Sequence, residues 1–192
     1  MAFNVTEFQS RMPLGGARPS LFEVQLNNPI GGLGGALSDR SKFLVRAAQI
    51  PAASVGNIPV QYFGRAVNFA GNRTFAPWTV TILNDEDYEI RNSMEEWSSK
   101  INGLANNVRD LSFTSPFTYK ADLTVTQFSK TGLPLRTYTF TGAYPTEVDA
   151  ISLDWGTEGI MEFGVTFQYD YWTVGSGGDV GNTLNTVINA LT

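Results

Sequence analysis

The chain has 192 residues, 42% of them hydrophobic and 16% charged, which is enough apolar content for a real core and too much for intrinsic disorder. Its formal charge of −5 argues against a nucleic-acid grip, because such a grip needs basic groups to displace phosphate counterions. Neither Cys nor His occurs, so disulfides, thiolate nucleophiles, the usual zinc ligands and the commonest general base are all excluded.

In chain order, "MAFNVTEFQSRMPL" lacks the basic head and apolar run of a signal peptide, and nothing approaches 18 consecutive apolar residues. The expectation is a protein made and kept in a cytoplasm, or released from one by lysis, with no stable membrane insertion. "RPSLFEVQL" (18–26) reads as a first strand, with Phe22, Val24 and Leu26 on one face and Leu21, Glu23 and Gln25 on the other. Residues 27–40 carry Gly31, Gly32, Gly34 and Gly35 and read as a flexible loop; a phosphate cradle would need a fixed spacing, a following Lys-Ser/Thr and a helix directly behind. Residues 41–50 read as a strand, broken by Pro51 and Gly56. Residues 58–71 form a second extended stretch that ends in a Gly71-Asn72 turn.

Segment 75–83 places Trp78, Val80 and Ile82 on one face. A helix is expected over about 85–102, capped by Asn84 or Asp85. The acids Asp85, Glu86 and Asp87 are read as complements to its dipole rather than as a metal site. Ile90, Met94, Trp97 and Ile101 recur as one apolar stripe. Residues 104–120 are irregular. Segments 121–128 and 135–141 give a hairpin signal, and 143–155 contains another strand. Residues 161–172 alternate most clearly, with Met161, Phe163, Val165, Phe167, Tyr169 and Tyr171 opposite Glu162, Gly164, Thr166, Gln168 and Asp170. Beyond 173 lies a Gly-rich linker and a tail whose Leu184, Val187, Ile188 and Leu191 would need a surface to dock on. The economical architecture is mainly β: an antiparallel sandwich or barrel flanked by one amphipathic helix.

Three segments, "ARPSLFEVQL", "IPVQYFGRAVNFAGNRTFAPWTVTILND" and "YPTEVDAISLDW…FGVTFQYDYW", resemble the tail tube proteins of contractile-tailed, myovirus-type bacteriophages. The resemblance covers roughly 17–26, 47–103 and 142–173. It implies a fold related to the tube proteins of type VI secretion, with hexameric rings stacked head to tail into a hollow tube inside a contractile sheath. It also implies assembly in the host bacterial cytoplasm, with sheath, baseplate and tail terminator proteins as partners. The tube would pierce the host envelope and pass DNA along its lumen without specific binding. On this reading the tube domain spans 1–173, and 174–192 is a C-terminal extension. The Gly-rich run and the extension depart from the family pattern and are read as local decoration. No cofactor, metal or catalytic set is expected, because no spacing of carboxylates, Ser or Lys singles one out.

Lumen-side strands are sought at 42–49, 59–69, 121–128 and 135–141. On the third, Asp122, Thr124 and Thr126 form the polar face, with Leu123 and Val125 packed inward. Ring stacking is assigned to the bend Pro51, Ala52, Ala53, Ser54, Val55, Gly56 and Asn57. Trp78, Val80, Ile82, Ile90, Met94, Trp97 and Ile101 are the expected core anchors. At −5 per chain a hexameric ring carries about −30, which favours repulsion of phosphate. Two other readings compete. The tube of a phage-derived injection device or type VI secretion system would share fold and assembly. A carbohydrate-binding sandwich would stack sugars on Trp155 and Trp172, although both end alternating segments and so read as core residues.

Overall fold

Alternation of apolar and polar residues along the strands builds two facing sheets, and one long strand belongs to both. The computed structural model describes residues 4–13, 15–30 and 34–175, with side chains described from residue 37 onward in the third segment. A short helix α1 (Val5–Ser10) leads to β1 (Phe22–Gln25), helix α2 (Gly34–Leu44) and β2 (Val45–Ala48). A hairpin of β3 (Ser54–Tyr62) and β4 (Arg65–Thr74) follows, then β5 (Trp78–Leu83) and helix α3 (Glu89–Ile101). A 3₁₀ turn (Leu111–Phe113) and α4 (Pro116–Tyr119) precede β6 (Ala121–Phe128), β7 (Pro134–Val148), β8 (Glu162–Gln168) and β9 (Tyr171–Gly175).

All strand pairs are antiparallel. The first half of β7 lies between β6 and β9, and β1 extends that sheet beyond β6. The second half of β7 pairs with β8, which continues through β5 to β2. A strand that crosses between packed sheets must bend. Here Gly142 sits at the corner with φ +68, and a Cβ there would meet the Asp170 carboxylate at 2.4 Å. The inner faces interlock through Trp78, Val80, Ile82, Phe163, Val165 and Phe167 from one sheet and Val24, Leu123, Val125 and Phe140 from the other. Trp78 stacks on Phe140 at 4.3 Å between ring centroids.

Two helices seal the open sides. On α3, Ile90, Met94 and Trp97 are buried, and Trp97 Nε1 donates to the Tyr119 carbonyl at 2.7 Å. Ile101, at its end, is half-buried against the core. Helix α2 covers the edge of β1. Ser41 Oγ accepts from the Leu26 N–H at 3.0 Å and donates to the Ser38 carbonyl, so an edge donor that would otherwise template strand pairing is satisfied.

Several expectations are corrected. The run 27–40 is not all loop, since α2 begins at Gly34, and residues 41–44 are helical rather than strand. Tertiary contact decides this: Leu37, Ser38 and Ser41 are buried against the sheet edge, which outweighs the glycines' poor helix propensity. Among the described residues the fold therefore has a second long helix besides α3, and three shorter helical segments, α1, the 3₁₀ turn and α4. The stretch 104–120 is not wholly irregular, as it holds the 3₁₀ turn and α4. Helix α3 starts at Glu89 and not near Asp85; Asp85 to Asp87 form the turn before it. Gly71 and Asn72 are strand residues, and 58–71 doubles back at Phe63-Gly64. The alternation of 161–172 stops at Tyr169, where the chain bends, so Tyr171 is exposed. β9 carries the sheet to Gly175. The apolar tail residues Leu184 to Leu191 lie outside the described residues.

Candidate assembly surfaces

The β3–β4 hairpin is the most unusual element. Among the described residues its strands pair only with each other. Strands of nine and ten residues make an arm of about 30 Å at 3.4 Å per residue. The turn at Phe63 and Gly64 has φ of +47 and +78, the left-handed pair a tight hairpin requires. Register puts Ile58 opposite Phe69, Val60 opposite Val67 and Tyr62 opposite Arg65, so one face of the ribbon is apolar. The other face carries Asn57, Gln61 and Asn68, with Asn57 Nδ2 donating to Asn68 Oδ1 at 3.0 Å. All the apolar residues on the first face are exposed, and Phe63 at the tip is 89% exposed. An isolated two-stranded hairpin is marginal in water, so such a face requires a partner.

Of the bend residues assigned to stacking, Ser54, Val55, Gly56 and Asn57 lie within β3 at the base of this arm. Pro51, Ala52 and Ala53 form its root. The root is tied down where Trp172 Nε1 donates to the Ala52 carbonyl at 3.3 Å. Gly56 and Gly71 mark a bulge: a Cβ on Gly71 would lie 3.1 Å from the Gly56 carbonyl. The arm's exposed face and tip thus sit farther along the chain than the predicted bend.

Asp122, Thr124 and Thr126 share the outward face of β6, and Leu123 and Val125 are buried beneath it. The register extends this face into rows. Gln25, Thr124, Thr139 and Thr173 lie side by side across β1, β6, β7 and β9; Glu23, Thr126 and Thr137 form the next row. Thr126 and Thr137 hydroxyls are 3.1 Å apart. Glu23 and Asp122 carry charge on this face, and the Lys120–Asp170 ion pair adjoins Gly142, whose N–H donates to Asp122. Arg136 pairs with Gln127 on the opposite side, near the Tyr138 ring. Two of the expected lumen strands do not join this sheet: 42–49 divides between α2 and β2, and 59–69 belongs to the separate arm. The strands beside β6 and β7 are instead β1 and β9. Trp78, Val80, Ile82, Ile90, Met94 and Trp97 are all buried.

At the end of the sandwich opposite the arm, Arg40 on α2 forms ion pairs with Asp85, Asp87 and Glu89. The Glu89 backbone N–H and the Arg40 side chain hold the Asp87 carboxyl below the usual range, and Arg40 is raised in turn, chiefly by its hydrogen bond to Asp87. The acids at and before the start of α3 thus bind a cation from another helix. The loop 149–161 occupies the same end. Trp155 on it is fully exposed, which corrects its expected place in a core. Trp172 is half-buried, edge-on to Tyr138 at 5.9 Å. The two Trp residues therefore do not make one sugar platform. Exposure at 155 had no signal in the sequence, since the strand that seemed to contain it ends at Val148.

A family model described as "Phage tail tube protein" matches residues 17–175. The tail tube protein gp19 of Enterobacteria phage T4 is 34% identical over 158 residues, which is 81% of this chain and 90% of that protein. The tail tube protein of Serratia phage KSP90 is 28% identical over 155 residues, 78% of this chain and 84% of that one. Among solved structures, a chain from the sheath/tube terminator of the PVC extracellular contractile injection system aligns with a TM-score of 0.60 at 16% identity, covering 84% of this chain and 97% of that chain. A chain from the anti-feeding prophage baseplate gives 0.58 at 14% identity, covering 83% and 95%. These likenesses agree with the mainly β, antiparallel architecture seen here. The chain belongs to the phage tail tube protein family and is a structural component of a virion tail.

Proposed function

We propose that hexameric rings of this protein stack head to tail into the hollow inner tube of a contractile tail, which penetrates the host envelope and conducts genomic DNA. The observation that carries this reading is the β3–β4 arm, an apolar ribbon face left exposed among the described residues. A contact between different surfaces on successive copies builds rings where the rotation closes and filaments where it does not. The arm makes the ring-to-ring contact, with the stacking residues Pro51 to Asn57 as its root and base.

The polar face of β1, β6, β7 and β9 lines the lumen, with Asp122, Thr124 and Thr126 at its centre. Threonine hydroxyls offer water a neutral surface, and Glu23 and Asp122 repel phosphate. DNA then slides without being held. The work is structural and not enzymatic. Sheath, baseplate and tail terminator proteins meet the tube's outside and ends, and assembly takes place in the host cytoplasm. The sequence relatives are phage proteins, whereas the likeness to injection systems is one of fold, which favours the phage tail over the injection device. The test is negative-stain electron microscopy of the purified protein. Long tubes of uniform bore are expected; a monomer that stays monomeric at high concentration contradicts the reading.

A further inference from the structure

The arm and the loop 149–161 lie at opposite ends of the same sheet. β2 leads into the arm beyond the row that contains Ala48 and Val80, and β5 returns from it at Trp78. The loop runs from the end of β7 to the start of β8, where Leu83 pairs with Glu162 and the Asn84 N–H donates to the Met161 carbonyl. One protomer therefore cannot bring these two surfaces together. Two copies stacked head to tail can.

The loop is built to receive something. Leu153 and Ile160 are exposed on it and line an open hollow of about 790 Å³, and Trp155 is fully exposed on the same loop. The arm offers a matching insert, with Tyr62 and Phe63 in edge contact at 4.5 Å at the tip. Charge is complementary as well. Residues 54–74 contain Arg65 and Arg73 and no acid, whereas 149–161 contain Asp149, Asp154 and Glu158 and no base. Among the described residues, none of these five side chains takes part in an ion pair. Apolar surface at the centre with opposite charges around it is the anatomy of a specific protein interface.

We infer that loop 149–161 is the receptor for the arm of a second copy in the adjacent ring, with Trp155 beside the inserted Tyr62-Phe63 tip and Arg65 facing Asp154 and Glu158. The inference rests on the tube reading and names the surface on which the arm lands. The absence of Cys gives a clean crosslinking test. Ala66→Cys on the arm and Ser152→Cys on the loop are both exposed and spare the contact residues. Chains carrying both substitutions are assembled and treated with a short bismaleimide.

The expected result is a ladder of covalent multimers extending past the copy number of one ring, with chains carrying a single substitution giving dimers at most. A ladder that stops at the ring's copy number places the loop against a neighbour within the ring and overturns the inference. Tubes in micrographs without a ladder leave the tube reading intact and show that the loop serves another partner, such as sheath. No tubes from the unsubstituted protein overturns both. A charge swap guards against misfolded variants: Glu158→Lys is expected to raise the concentration needed for assembly severalfold, and Arg65→Glu in the same chain to restore it. Failure of that rescue contradicts the contact.

Discussion

Phe69 sits mid-arm, opposite Ile58, and is 56% exposed. Full burial of such a side chain is worth about 1.5–3 kcal/mol, so covering the remaining half contributes about 1–1.5 kcal/mol per contact. That is about a tenfold change in one association constant. Phe69→Ala removes this from every protomer of a hexameric ring, so the effect multiplies around each junction. Among the described residues the substitution loses a cross-strand pair within the arm, roughly 0.2–1 kcal/mol. The assay is paired: pelleting gives the critical concentration for assembly, and thermal melting of unassembled protein gives protomer stability. The critical concentration is expected to rise at least tenfold while the melting midpoint stays nearly constant. A large drop in midpoint with assembly unchanged would show that Phe69 packs in its own protomer, and the reasoning about the arm would fail.

Trp97→Ala is expected to destabilise the protomer by about 3–5 kcal/mol, because it empties a buried site and strands the Tyr119 carbonyl. Ile101→Asp, at the half-buried end of the same stripe, should also prevent productive folding, and tubes formed by that variant would refute the stripe. Asp87 has a depressed folded pKa, so its stabilising contribution is complete above the ordinary aspartate value near 3.9 and is lost as pH falls through the lower folded value. Melting midpoints recorded from pH 5 to pH 2 should therefore fall less steeply for Asp87→Asn than for the native chain; identical acid limbs contradict the pairing with Arg40. Thr124→Lys combined with Thr139→Lys puts two cations side by side on the proposed lumen face. Such tubes should retain DNA in low salt and release it as salt rises, with a slope of about −0.9 per phosphate contacted. Tubes that still ignore DNA would place this face elsewhere.

How much of this was legible in the sequence follows from which signals are local. The stripe Ile90, Met94, Trp97 and the alternation from Met161 to Tyr169 are short-range patterns, and both elements stand where they point. The inward Leu123 and Val125, with Thr124 and Thr126 outward, were readable for the same reason. Helix α2 was not, because its stability comes from Leu37, Ser38 and Ser41 meeting the edge of β1, a contact no local window contains. The arm was half visible. Its extended character showed, but the reversal at Phe63-Gly64 places a bulky aromatic at positive φ, which is an unusual turn residue. Its solitude was invisible, since alternation looks the same whether the apolar face meets the protomer's own core or a neighbour's. Trp155 failed by a related route: the alternation around it promised a strand, and the strand had already ended at Val148.

The most direct measurement is a helical cryo-EM reconstruction of the assembled protein at side-chain detail. It should show the face of Ile58, Val60, Val67 and Phe69 covered by the next ring, and Thr124, Thr126 and Asp122 turned to an open bore. A reconstruction with the arms bare on the tube's outer surface, or an assembled particle with no bore, would contradict it.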